Sequence, residues 1–386
     1  MNRFMMIEWK RIFNRRKLLL LMIVMILASM SVLSHAKENY KIFDASSGKL
    51  DWKQNLEYGK QASKGKYLTE EYLLFILEKG EGDTHIDKLN VEALVSANYN
   101  KELKELNMSE IKQFYKYRIQ NIKEEMENNP NIKCTQQEQD TIIKKARKVS
   151  VIPMDYAEGW KVLNENMGNY SVILLFVISF LIIPLFGNDS TVHMRELYRS
   201  TRYGKKQLDH AKILFAYLTG SSFYIVGILI YFLTIILNFG AEGASMPIQS
   251  QVSMFFSTYG ITYIQQFLWN LVIGCLSLLL TISLMLLVTI VADTQMVSAA
   301  IWGFFWILLY LFQMINVFAV NHLFANFMPL RMNDMFHYYV DNEYYHLFGH
   351  SVPCLNWIII VSILLIGIVL LLTIRIAGQK RNHALK

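Results

Sequence analysis

Six long apolar runs divide this chain, separated by polar segments of very unequal length. The first covers residues 18–34 (LLLLMIVMILASMSVLS). Its 17 residues lie near the lower limit for a helix crossing a hydrocarbon core of about 30 Å. A polar stretch without any such run follows to residue 168. The other runs cover 170–187, 213–239, 261–291, 298–320 and 357–376. The run at 261–291 exceeds one crossing, which predicts a tilted helix or an interfacial turn at its start. The pattern predicts an all-α membrane protein: six transmembrane helices plus a mostly helical extracytoplasmic domain over 35–168, with helices 2–6 in 169–386.

Helical periodicity recurs inside the polar stretch. Over 109–127, Ile111, Tyr115, Ile119, Ile122 and Met126 return every three or four residues, and Ser109 suits the cap. Residues 70–77 and 91–106 read the same way, and Asn128-Asn129-Pro130-Asn131 is a break. The main strand pattern is 148–152. About 130 residues are enough for a small separate core. Residues 1–17 predict a cytoplasmic amphipathic helix: Phe4, Ile7, Trp9, Ile12 and Phe13 alternate with Arg3, Lys10, Arg11, Arg15 and Arg16. Such a helix suits an acidic membrane surface. Ser34-His35-Ala36 also fits the cleavage site of a secretory leader. The long, helix-patterned segment before the run favours an uncleaved anchor.

Composition agrees with a membrane protein. Apolar residues make up 53% of the 386 and charged residues 18%, below the roughly 25% of soluble domains. The net charge of +7 is not a nucleic-acid stripe. Residues 37–165 hold 21 Lys and Arg against 22 Asp and Glu, so the excess flanks the apolar runs. Residues 1–17, 188–212 and 375–386 are basic; 240–260 have no Lys or Arg, and 321–354 have only Arg331. The alternation predicts six crossings with both termini in the cytoplasm, in the plasma membrane of a bacterium. Trp160, Tyr170, Tyr259, Tyr263, Trp302 and Trp357 fall where an aromatic belt is expected. The three cysteines lack CxxC spacing. If Cys134 and Cys354 both face outside, one bridge between them is open.

The segment 188–212 carries the most informative chemistry. It reads HMRELYRSTRYGKKQLDHAK from His193 to Lys212, with a turn signal at Tyr203-Gly204. On charge alone it is either a topology-setting basic loop or a helix presenting charge to a soluble partner. The amphipathic Ile7–Phe13 stretch (IEWKRIF), the large insertion after the first run, and Glu196 followed by STRYGKKQLDHAKI together resemble the permeases of exporter-type ABC transporters, the type-2 membrane family. Leu197 and Tyr198 stand where that family often has Gly. The resemblance implies that 188–212 is a cytoplasmic coupling loop. Its contact with a separate ABC ATPase subunit would run through Glu196, Arg199, Thr201, Arg202, Tyr203, Gly204, Lys205 and Lys206. It further implies a second permease subunit, identical or a sister chain, and ATP and Mg held by the ATPase rather than by this chain. Ala292-Asp293-Thr294-Gln295 would flank the same contact.

Motifs for chemistry on this chain itself are missing. Gly204-Lys205-Lys206 lacks the first Gly and the Ser/Thr of a phosphate loop. There is no G-x-S-x-G elbow, so no enzyme activity is expected. His346 and His350 would share one face of a helix, but Leu347 replaces the Glu of H-E-x-x-H, and no metal site is assigned. Candidate path-lining residues are Gln265, Gln266, Asn270, Gln313 and Asn316, polar groups inside apolar runs; helix–helix glue is their commoner role. Gly220, Ser221, Ser222 and Gly227 suggest close helix packing. No run has a Lys, Arg, Asp or Glu near its centre, which disfavours an ion-coupled carrier and favours external power. The expected function is a permease moving an amphipathic or hydrophobic cargo (peptide, antimicrobial or drug), with membrane lipid as its surroundings. The alternative is a non-transporting sensor whose outer domain binds a ligand and signals to a cytoplasmic partner. A membrane-embedded hydrolase is a third, weaker class.

Overall fold

The computed structural model describes residues 2–40, 52–79, 85–128, 134–186, 207–292, 294–314, 317–347 and 350–383. Among them, six helices are long and apolar enough to cross a membrane. They are α2 (Arg15–Asn39), α9 (Glu158–Ile182, helical on to Phe186), α10 (Gln207–Phe239), α11 (Tyr263–Val291), α12 (Gln295–Met314) and α16 (Cys354–His383). α1 (Asn2–Ile12) precedes them. Several bounds differ from the apolar runs, because a helix continues past its apolar part while its backbone hydrogen bonds can still form. α2 covers 15–39 rather than 18–34, and α9 begins at Glu158 rather than near 170. The polar insertion is therefore nearer 40–157 than 35–168. α12 stops at Met314, short of the 298–320 run.

Caps explain two of the starts. Asn14 accepts from Lys17 N at the head of α2. Thr262 and Gln265 form a capping box on α11. The helices alternate in direction. At one end Tyr40 and Trp52 pack on Phe239, and Asn164 Nδ2 donates to Tyr263 O. At the other, Trp9 of α1 and Phe13 just after it pack on Phe215 and Phe223 of α10. α9 and α11 form the centre, more than half buried, whereas α2, α12 and α16 keep mostly exposed apolar faces. Small residues permit the central packing: a Cβ on Gly220 would meet Ile282, and one on Gly227 would meet Leu174.

The polar insertion folds as a domain, called outer for its place beyond the ends of the apolar helices, that holds α3 (Trp52–Ser63), α4 (Glu70–Lys79), α5 (His85–Tyr99), α6 (Met108–Ile111), α7 (Phe114–Asn128) and α8 (Gln136–Ala146). The single helix expected over 109–127 breaks at Lys112-Gln113, where α6 ends and α7 begins. The strand expected over 148–152 shrinks to β2 (Ile152–Pro153), paired antiparallel with β1 (Tyr67–Leu68).

Two later loops complete this domain. Phe255 joins the core of Leu73, Leu94, Ile111 and Phe114, and Tyr344 packs on the Ile122, Met126 and Ile142 cluster. Arg118 of α7 is 0% exposed. It donates from Nε to Phe255 O (2.8 Å), from one terminal nitrogen to Ala146 O (3.3 Å) and from the other to Ser257 O (2.8 Å). Burial lowers its pKa to about 10, so it remains charged at neutral pH. The domain is thus assembled from three stretches of chain, not from the first insertion alone.

Residues 317–353 fold as α13 (Phe318–Leu323), α14 (Pro329–Met332), α15 (His337–Val340) and a hairpin of β3 (Tyr344–Leu347) with β4 (His350–Pro353). His346 and His350 therefore lie on neighbouring strands instead of one helix face; aromatic and β-branched residues around them favour the pleated surface. Cys134 and Cys354 are both free. Cys134 Sγ contacts Asn342 O, while Cys354 Sγ contacts Asn326, so the bridge left open by the sequence is not formed.

Candidate functional site

The residues expected to couple to an ATPase, Glu196, Arg199, Thr201, Arg202, Tyr203, Gly204, Lys205 and Lys206, lie outside the described residues. So do Asp293 and Asn316. The helix ends that bracket the loop are described. Lys212 is buried; its Nζ donates to Leu185 O (2.8 Å) and lies 5.1 Å from the centre of the Phe186 ring. That bond ties the end of α9 to the start of α10. Lys17 Nζ donates to Ile12 O (3.0 Å), tying α1 to α2.

At the opposite end, residues 325–340 fold back into the helix bundle. Ser277 Oγ donates to Pro329 O (3.0 Å), and Asn333 Nδ2 donates to Ser277 Oγ (2.8 Å) and Pro329 O (2.7 Å). Ser277 lies 14 residues into α11, about 21 Å or four turns below its start. Ser362 Oγ of α16 reaches Met332 Sδ at 3.7 Å. Gly168 makes the approach sterically open: a Cβ there would stand 2.0 Å from Asn333 O. Irregular backbone at such depth needs protein or a polar cavity around it.

A cavity of about 640 Å³ lies against this segment, between α9, α11 and α12. Asn164, Gln266, Asn270, Gln313 and Asn333 supply amides to its wall, and Glu165 and Asp334 supply carboxylates. The amides form a relay. Tyr339 OH donates to Asn270 Oδ1 (2.8 Å), Asn270 Nδ2 to Asn164 Oδ1 (3.4 Å), and Asn164 Nδ2 to Tyr263 O (3.1 Å). Three elements distant in sequence are thereby held in one register. The volume lies within the range of small-molecule sites.

Of the path-lining candidates, Gln266, Asn270 and Gln313 converge on this cavity. Asn270 is also helix–helix glue through the relay. Gln265 is elsewhere: its Oε1 accepts from Thr262 N (3.0 Å) as part of the α11 cap. Sequence reasoning missed Asn164, Glu165, Asn333 and Asp334. The first two sit in the polar approach to an apolar run, and the last two follow the Met328-Pro329 turn, so only the fold unites them. Among the described residues, no three His, Cys, Asp or Glu side chains are grouped to hold a metal.

The described chain is thus a helical protein with six membrane-length apolar helices, a composite outer domain and a chain segment folded back among the helices. Its six apolar helices fit a multi-pass membrane protein. No protein-family model, no curated protein and no solved structure matches the chain.

Proposed function

We propose that the chain is the permease subunit of an ATP-powered exporter carrying an amphipathic or hydrophobic cargo across the cytoplasmic membrane. The observation that carries this reading is the cavity among α9, α11 and α12, walled by amides and by irregular chain folded back into the bundle. Such a cavity offers a cargo polar contacts at a depth where lipid offers none. The absence of a charge near the centre of any apolar run supports an external motor over ion coupling. The resemblance of residues 196–212 to a coupling loop supports an ABC ATPase as that motor, with ATP and Mg on the ATPase. A second copy or a sister chain would complete the path. The outer domain would sit on the extracytoplasmic side, with 1–17 and 188–212 in the cytoplasm, as the basic segments require.

Purification of the chain with its co-isolating ATPase tests the reading. Reversing both Arg199 and Arg202 to Glu is expected to lower the ATP turnover coupled to the permease by on the order of tenfold or more, as breaking charged interface pairs does. Unchanged turnover, or cargo movement with no ATPase attached, would overturn it. One observation favours the sensor as a second reading. A cavity of about 630 Å³ lies between α5, α7 and the 340–342 turn, with Asn98, Asn121 and Asp341 in its wall. A ligand response that survives without any ATPase would select the sensor.

A further inference from the structure

The cavity among α9, α11 and α12 has a chemical bias that the exporter reading does not require: the charged groups in its wall are carboxylates, and the two fully buried polar atoms left without a partner there are oxygens. Gln266 is 2% exposed, and its Oε1 has no hydrogen-bond partner. Asn333 is also 2% exposed, and its Oδ1 is unpaired while its Nδ2 serves Ser277 and Pro329. Buried oxygens left this way cost free energy until a donor arrives. The carboxylates of Glu165 and Asp334 face the same space, and no Lys or Arg lines it. Lys161 pairs with Glu158 (2.8 Å), whereas Arg331 pairs with Asp334 itself (3.1 Å), so Glu165 is the carboxylate of the two that is left for a ligand cation. Glu165 receives neutral donors, Gln251 Nε2 and Ser253 Oγ, the latter at 3.5 Å. Asn169 and Gln313 add neutral amides to the wall, and its apolar and aromatic part holds Val172, Ile173, Leu330, Tyr310 and Phe336. Tyr310 and Phe336 offer π faces that a cation can use.

We propose that this cavity binds the primary ammonium group of an amphipathic amine. The N–H groups donate to the Glu165 carboxylate, and the orphaned oxygens of Gln266 and Asn333, closed to solvent without a ligand, become further acceptors once their amides turn into the cavity. The apolar body lies along Val172, Ile173 and Leu330. A cation with three donors makes charge-assisted bonds to a carboxylate as a neutral alcohol cannot. The same chemistry is available from a free amphipathic amine and from an aminophospholipid headgroup. Calling the ligand cargo rests on the exporter reading; the binding does not.

The test uses the full chain in phosphatidylcholine nanodiscs, titrated with dodecylamine, dodecyltrimethylammonium and dodecanol, with empty nanodiscs subtracted. Dodecylamine, protonated at neutral pH, is expected to saturate. Dodecanol is expected to bind about tenfold more weakly or worse, having lost charge-assisted bonds. The trimethyl compound keeps the charge but has no N–H, and is expected to fall between them. Glu165→Gln is expected to weaken dodecylamine about tenfold and leave dodecanol unchanged. Equal binding of all three compounds would overturn the proposal, and so would an unaltered dodecylamine affinity in Glu165→Gln. The comparison within the unmodified chain stands even if the variant misfolds. Repeating the titration in phosphatidylethanolamine nanodiscs separates the sources. Lost dodecylamine binding there supports the site with lipid as its occupant, and retained binding supports it with a free amine. Amine binding without a co-purifying ATPase would remove the exporter reading and leave the site. An ATPase-coupled chain indifferent to amines would do the reverse.

Discussion

The outer domain and residues 325–340 are both held to the rest of the molecule by buried polar groups, but the groups differ in kind. The outer domain is held by a cation. Arg118 reaches three backbone carbonyls across α7, α8 and the loop before α11, with its guanidinium 5.4 Å from the Phe255 ring centre. The folded-back segment is held by neutral groups: Asn333 on Ser277, Tyr339 on Asn270, and Asn270 on Asn164. The physical reason lies in solvent. A guanidinium near the aqueous side has its desolvation offset by three carbonyl dipoles and a ring face. Deep among apolar helices a charge would cost more, and amides supply direction without it. The difference teaches that the outer domain is fastened, whereas the segment beside the cavity is set by weaker, exchangeable bonds.

Substitutions can break that comparison, and the largest effect is expected at Arg118. Arg118→Ala leaves Phe255 O without a donor, removes one of two donors from Ala146 O and Ser257 O, opens the space of a buried side chain, and is expected to cost about 3–5 kcal/mol. Chemical denaturation and proteolysis of the outer domain would read this. An unchanged cleavage pattern would mean that the clamp does not fasten the domain. A smaller effect, about 1–3 kcal/mol, is expected for Gly168→Ala, whose new methyl group collides with the backbone at Asn333. Gly303→Ala is its control, since nothing stands within 4 Å of a Cβ there. Equal melting temperatures for the two variants would mean that the segment yields without cost.

The smallest effect concerns the seam between the two regions. Burial first, and the Glu343 carboxylate second, push the Asp341 carboxyl up to about 6. Its folded-state pKa is raised above the unfolded value of about 3.9, so the folded state binds more protons between these values. Its contribution to stability is therefore lost as pH rises from about 4 to about 6, and is level above that. Asp341→Asn is expected to remove this loss, gaining about 1–2 kcal/mol over the parent at pH 7.5 and little at pH 4. Thermal unfolding at the two pH values checks it. A variant no more stable at pH 7.5 than at pH 4, relative to the parent, would place Asp341 in solvent.

Much of the fold was legible in the sequence, and the candidate site was legible in fragments. The apolar runs announced six helices because a bilayer demands about 20 apolar residues per crossing, whatever surrounds them. Gln266, Asn270 and Gln313 stood out because amides are scarce in such runs. His346 and His350 would share a face only if their segment were helical, and it is a hairpin, since two histidines four apart do not by themselves select a helix. Arg118 gave no signal at all: among many Lys and Glu residues it looked like one more solvated charge.

What the sequence alone determined was the count and place of the apolar helices, their alternating basic flanks and the presence of a large polar insertion. These follow from composition within single stretches, where water and hydrocarbon sort residues locally. Only the tertiary structure decided that the 240–262 loop and the 344–353 hairpin complete the outer domain. It alone decided, too, that Asn333 and Asp334 meet Glu165 and Gln266 across one cavity. Those meetings join residues far apart along the chain, and pairwise hydrogen bonds leave no periodic mark in a sequence by which they could be read.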